Sequence, residues 1–171
     1  VIRSLIENGI KSFDVASINE IKLIKNIYSN ANIFFMNPVK SRDSIREAYF
    51  SFNVRNFAVD SIDELKKISL ETNFANDLNI FMRLKVPNNY STIKLSDKFG
   101  VTVKEAPELL RKINKKSLKV GICFHVGSQC TDPSAFKVAL KITQKVLNES
   151  RIKISFLNVG GGFPENLRVK Q

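Results

Sequence analysis

The sequence predicts an α/β fold: a partial (β/α)8 TIM barrel of about six parallel strands alternating with helices. Three observations lead there. Short β-type runs alternate strictly with amphipathic helical patterns. No hairpin signal joins neighbouring runs, so the strands must be parallel and linked by right-handed crossovers. Residues able to do chemistry stand at the ends of several different runs, which suits a barrel whose strand ends converge on one face. An open doubly wound sheet would gather them at one switch point. About six strands cannot close an eight-stranded barrel, so part of the domain is expected to lie outside this sequence.

Val1-Ile2-Arg3-Ser4-Leu5 reads as the middle of a helix, without initiator Met or secretory apolar region, so the chain is expected to start mid-domain. Phe13 to Ala16 forms the first strand-like run. The next helix spans Ile18 to Tyr28, with Ile21, Ile24 and Tyr28 on one face and Lys22 and Lys25 toward water. Its start, Ser17-Ile18-Asn19-Glu20, has capping-box spacing, repeated by Ser61-Ile62-Asp63-Glu64. Strands follow at Asn32 to Met36, Asn56 to Asp60, Asn79 to Val86, Lys119 to Val126 and Ile154 to Gly160. Helices fill the gaps at Ser41 to Phe52, Ile62 to Leu70, Lys104 to Ile113 and Pro133 to Leu147. Asp132-Pro133 reads as an N-cap followed by Pro at the first helical position. The longest loop-like stretch, Pro87 to Gly100, reads as a lid or as plain surface.

Composition narrows the function. The 171 residues, 43% of them hydrophobic, suffice for one domain with a real core. No apolar run nears the roughly 20 residues that span a bilayer, so no membrane partner is expected. Cys123 and Cys130 flank a histidine loop; so few cysteines point to reduced thiols in a cytoplasm, and their spacing is not a zinc signature. The net charge of +11 does not read as a nucleic-acid surface, because the lysines are scattered over polar faces without interleaved aromatics.

Two loops carry the strongest chemical signal. Gly160-Gly161-Gly162 follows an apolar run, and three glycines leave main-chain amides open to an anion, or simply allow a chain reversal. Phe124-His125-Val126-Gly127-Ser128-Gln129 closes another run and holds the sole histidine. That imidazole is either a satisfied structural residue or a flat ring for stacking. No carboxylate near it in sequence would orient it as a general base. Asp14 sits within a strand and must face solvent or a polar pocket. Capping alone accounts for Glu20. Arg83, inside the most apolar strand, is costly unless paired, whether with a carboxylate or a ligand.

Taken in order, the segments resemble a known family. They are Phe13-Asp14-Val15-Ala16-Ser17 with Glu20, Asn37-Pro38-Val39-Lys40, Arg83, Leu95-Ser96-Asp97-Lys98-Phe99-Gly100, Phe124-His125-Val126-Gly127-Ser128 with Thr131-Asp132-Pro133, and Gly160-Gly161-Gly162-Phe163-Pro164. Over essentially the whole chain the series resembles the pyridoxal-phosphate-dependent basic amino acid decarboxylases, the ornithine decarboxylase family, with an alanine-racemase-like barrel. The resemblance implies that Gly160, Gly161, Gly162 and Ser128 hold the cofactor phosphate, and that His125 stacks on the pyridine ring. It places Asp14 and Glu20 near the lysine end of the cofactor and Arg83 beside its phenolic oxygen. The Schiff-base lysine would precede Val1. Lys40 matches a different position. The acid that meets the pyridine nitrogen and a β-rich second domain would follow Gln171, so this stretch alone is expected to be inactive. The implied activity is decarboxylation of ornithine, or of lysine or arginine, by a cytoplasmic homodimer. Diaminopimelate decarboxylase, a non-catalytic regulatory homologue, and an unrelated phosphate-binding barrel are the alternatives.

Overall fold

The computed structural model describes residues 1–87 and 98–164. Helices and strands alternate: α1 (Ile2–Glu7), β1 (Ser12–Val15), α2 (Ile18–Ile27), β2 (Asn32–Phe35), α3 (Arg42–Phe50), β3 (Asn56–Val59), α4 (Ile62–Glu71), β4 (Asn79–Arg83), α5 (Ala106–Asn114), β5 (Lys119–Cys123), α6 (Ser134–Ser150) and β6 (Phe156–Asn158). The six strands form one parallel sheet in sequential order. A doubly wound sheet would reverse direction from its first strand; this one never does, which is the winding of a barrel. The curl is wide enough that Asn158 at the end of β6 donates its Nδ2–H to Asp14 Oδ2 on β1, 2.8 Å away.

Alternation along the strands separates two cores. Ile33, Phe35, Phe57, Val59, Ile80, Met82 and Ile122 point outward and are sealed by Ile21, Ile24, Ile45, Leu65, Ile68, Leu110 and Val146 of the helices. Phe34, Ala58, Phe81, Cys123 and Phe156 point into the lumen. There the ring of Phe81 meets Phe34 edge-on and stacks on Phe156, both at 5.6 Å, so β2, β4 and β6 share one aromatic layer. Below it an amide ladder crosses four strands: Asn79 donates to Asn56 at 2.9 Å, Asn56 to Asn32 at 3.2 Å, and Asn32 to Ser12 at 3.4 Å.

The helix starts follow the sequence closely. Ser17 Oγ accepts the Glu20 N–H and Glu20 Oε2 accepts the Ala16 N–H, while Ser61 Oγ accepts the Glu64 N–H. Replacing Ser61 by Ala is expected to cost about 1 kcal/mol of unfolding free energy, measurable by urea titration. Three local expectations need correction. Pro133 is the N-cap itself, not the first helical residue, and Asp132 accepts the Ser134 N–H from one position further out. Lys25 does not face water; its ammonium turns back onto the Ser29 and Ala31 carbonyls left open beyond the end of α2. The expected strand from Asn79 to Val86 ends at Arg83 and continues only as a Leu84–Val101 bridge. The greater part of the Pro87 to Gly100 loop lies outside the described residues.

Candidate functional site

At the C-terminal ends of the strands lies a pocket of about 380 Å³, lined by Asp14, Ala16, Glu20, Asn37, Arg83, Phe99, Cys123, His125, Asn158, Gly160 and Gly161. A larger groove of about 900 Å³ runs along the outer faces of α4 and α5. It holds neither strand-end loop, so the chemistry belongs to the smaller cavity.

The two loops singled out in sequence form one wall. A Cβ placed on Gly161 would sit 3.7 Å from His125 Nε2, and one on Gly160 would sit 3.1 Å from His125 Cδ2 and 2.5 Å from the Phe124 carbonyl. At Gly162, where φ is +95°, it would lie 2.0 Å from the Gly127 carbonyl. At Gly160 and Gly162 glycine is therefore required by contact as well as by backbone conformation. The loops are tied by the Cys130 N–H, which donates to the Gly162 carbonyl at 2.8 Å. Among the described residues, no hydrogen bond takes up the Gly161 or Gly162 N–H or the Ser128 hydroxyl. Such donors fit an anionic oxygen. Ser128 and Gly162 belong to this wall but do not line the cavity itself.

His125 is held as a neutral ring. Its Nδ1 accepts the Gly127 N–H at 2.9 Å, so the proton sits on Nε2. Burial lowers its pKa from 6.5, and the positive charge of Arg83 lowers it further. A neutral, half-buried imidazole is suited to stacking. Arg83→Gln is expected to raise the His125 midpoint by removing the like charge, which NMR titration of the imidazole would read.

Arg83 has no carboxylate within ion-pair distance among the described residues. Its guanidinium lies 5.5 Å from the Phe99 ring centroid and lines the pocket. Asp14 stands across from the glycine loop; desolvation raises its pKa, and the Asn158 hydrogen bond partly counters the rise. Glu20 also lines the pocket, but one carboxylate oxygen is committed to the capping box. Cys123 at the pocket floor is inert as a nucleophile, since burial pushes its thiol up to about 12. Lys40 is absent from the lining. Its buried ammonium bonds to the Asn37 and Ala58 carbonyls and to Glu64, 3.0 Å away.

Sequence reasoning missed Asn158 and Asn37. Asn158 had a readable signal: it follows Phe156 at the two-residue strand period and so shares its inward face. Asn37 lies beyond the strand, where periodicity does not reach; its signal was its place in the Asn37-Pro38-Val39-Lys40 segment.

Residues 1–170 match the family model for the pyridoxal binding domain of pyridoxal-dependent decarboxylases. The chain belongs to this family. A lysine/ornithine decarboxylase of Selenomonas ruminantium is 33% identical over 168 residues, covering 95% of this chain and 42% of the relative. Antizyme inhibitor 2 of Xenopus laevis is 32% identical over 169 residues, covering 96% of this chain and 36% of the relative. The chain thus spans about two fifths of the curated relatives it matches. Among solved structures, an SrLDC mutant in complex with PLP aligns with a TM-score of 0.83 at 31% identity, over 94% of this chain and 42% of that one. The partial barrel is thus the cofactor-binding part of the pyridoxal-dependent decarboxylase fold, and its cofactor is pyridoxal phosphate. Open glycine amides, a neutral imidazole and a guanidinium in one pocket fit a phosphate joined to an aromatic ring.

Proposed function

We propose that the full-length protein decarboxylates a basic amino acid, ornithine foremost, yielding carbon dioxide and a diamine that feeds polyamine synthesis. The observation that carries this reading is the single wall made by His125 and the glycine loop, so close that a Cβ added at Gly161 would lie 3.7 Å from His125 Nε2. When bound, pyridoxal phosphate supplies an electron sink for the electron pair left behind as carbon dioxide departs.

In this reading the chain's own residues bind and orient. The Gly161 and Gly162 amides and the Ser128 hydroxyl would take the phosphate, while the Gly160 N–H is held by Asn158 Oδ1. His125 would supply a neutral, flat ring for the pyridine to stack on, and Arg83 would supply a donor on the phenolic-oxygen side. Asp14 faces the amine end as a carboxylate whose pKa burial raises and the Asn158 hydrogen bond holds down. Glu20 shapes that end with the carboxylate oxygen left over from the capping box. On the family resemblance, the lysine that would link the cofactor and the groups that would select ornithine, lysine or arginine lie outside these residues. A cytoplasmic homodimer completes the proposal on the strength of the family resemblance.

A second reading is a regulatory homologue without catalysis, favoured by the 32% identity to an antizyme inhibitor. One experiment separates them. The full-length protein is purified with pyridoxal phosphate and assayed for carbon dioxide release from ornithine, lysine, arginine and diaminopimelate. Release from ornithine above the others is expected. A coloured, cofactor-loaded protein inactive on all four amino acids would favour the regulatory reading, and a colourless one with no borohydride-reducible adduct would remove the enzymatic proposal.

A further inference from the structure

Asn158 touches both walls of the pocket. Its Nδ2 donates to Asp14 Oδ2 at 2.8 Å, and its Oδ1 accepts the Gly160 N–H at 2.8 Å. Asp14 lies on β1 and Asn158 ends β6, the two outermost strands of the sheet. The amide's orientation is dictated by its partners: an amide N–H needs an oxygen, and an ionised carboxylate needs a donor. No apolar side chain serves either contact, and a carboxylate serves only the glycine one. A local Asx turn explains the Gly160 bond by itself. It does not explain why the same side chain reaches across to β1. Nor has the loop slack at that point, since Gly160 has φ +69° and its Cβ position is already 2.5 Å from the Phe124 carbonyl.

We propose that Asn158 is a positioning residue that fixes the Asp14 carboxylate against the glycine loop, so that the carboxylate end and the phosphate end of the pocket keep one spacing. The inference rests on the pyridoxal-phosphate reading of this pocket. Two variants of the full-length protein separate its two bonds. Asn158→Ala removes both. Asn158→Asp keeps an acceptor for the Gly160 N–H but replaces the donor to Asp14 with a second carboxylate, and the two acids must then share a proton.

Pyridoxal phosphate affinity is read by fluorescence titration, and the Asp14 midpoint by NMR of ¹³C-labelled aspartate in protein without added cofactor. Asn158→Ala is expected to lose about tenfold in cofactor affinity, the worth of roughly one good hydrogen bond, and to raise the Asp14 midpoint. Asn158→Asp is expected to lose several-fold in affinity as well, because only the Gly160 bond survives, while the Asp14 midpoint rises further; wild-type affinity in this variant would leave the local turn as the whole role and overturn the proposal. An Asp14 midpoint unmoved in Asn158→Asp overturns the role even if Asn158→Ala fails to fold. So does wild-type affinity in Asn158→Ala. Failure of the unaltered protein to bind pyridoxal phosphate would instead overturn the functional reading, and the positioning role with it.

Discussion

Replacing Glu64 by Gln is expected to destabilise the domain by about 3–5 kcal/mol, because it strands the Lys40 ammonium in a dry site. The Lys40 and Glu64 side chains are 0% and 4% exposed. Glu64 Oε1 meets both the Lys40 Nζ at 3.0 Å and the Lys40 N–H at 3.2 Å, and Oε2 binds Lys67 at 2.6 Å. One carboxylate thus compensates two cations and a main-chain amide. Burial already lowers the Lys40 pKa from 10.5 to about 8, against the pull of Glu64. A base with a depressed folded-state value holds its proton more tightly when unfolded. Between about 8 and 10.5 the unfolded chain therefore carries more protons, and stability rises with pH across that window. Removing Glu64 drives the Lys40 value lower still, so the penalty should shrink as the lysine sheds its proton. Urea unfolding at about pH 6 and about pH 9 would show a large loss at the first and a smaller one at the second. A loss independent of pH would mean that packing, not charge, explains the effect. Pairing Lys40→Met with Glu64→Leu should recover only the charge part of the loss, since the Lys40 N–H and the Asn37 and Ala58 carbonyls still lose their partners.

The second large effect concerns the glycine loop. Gly162→Ala is expected to weaken pyridoxal phosphate binding by roughly 10- to 100-fold, through about 1–3 kcal/mol of backbone strain plus displacement of the loop. The new methyl would meet the Gly127 carbonyl at 2.0 Å, so the histidine loop must move with it. Gly161 provides the control. Its backbone lies outside the left-handed region, and an added Cβ makes only ordinary contact with His125 at 3.7 Å. Gly161→Ala should leave unfolding free energy within about 0.5 kcal/mol of wild type while still obstructing an anion at the loop. Thermal melts and cofactor titrations of the two variants distinguish strain from obstruction. Equal stability in both would refute the contact argument.

The fold was largely legible, for a definite reason. Strands that alternate with capped amphipathic helices and offer no tight turn have one way to pair, and Ser17, Ser61 and the buried Ile21 and Ile24 marked their starts and faces. Boundaries shifted where local chemistry competed, as at Asp132, whose short side chain caps α6 from outside it. Within the pocket, His125 and the glycines announced themselves by composition. Asn158 and the Lys40–Glu64 pair did not, because their meaning comes from partners 144 and 24 residues away. No spacing rule carries that information. Glu20 shows the reverse: its capping role was read from four residues, whereas its place at the pocket followed only from the family resemblance and not from any local pattern.

The row of asparagines beneath the lumen phenylalanines guards against a mistake that oil-and-water patterning permits. Sliding one strand by a single position would turn its apolar side outward and be rejected at once. Sliding it by two restores every inside and outside assignment, and greasy contacts alone barely notice. Such a slip would leave Asn32, Asn56 or Asn79 facing aromatic rings with its polar hydrogens unmatched, at a cost of about 1–3 kcal/mol for each orphaned group. These amides act as a checksum on alignment, holding the mouth of the barrel true from its base.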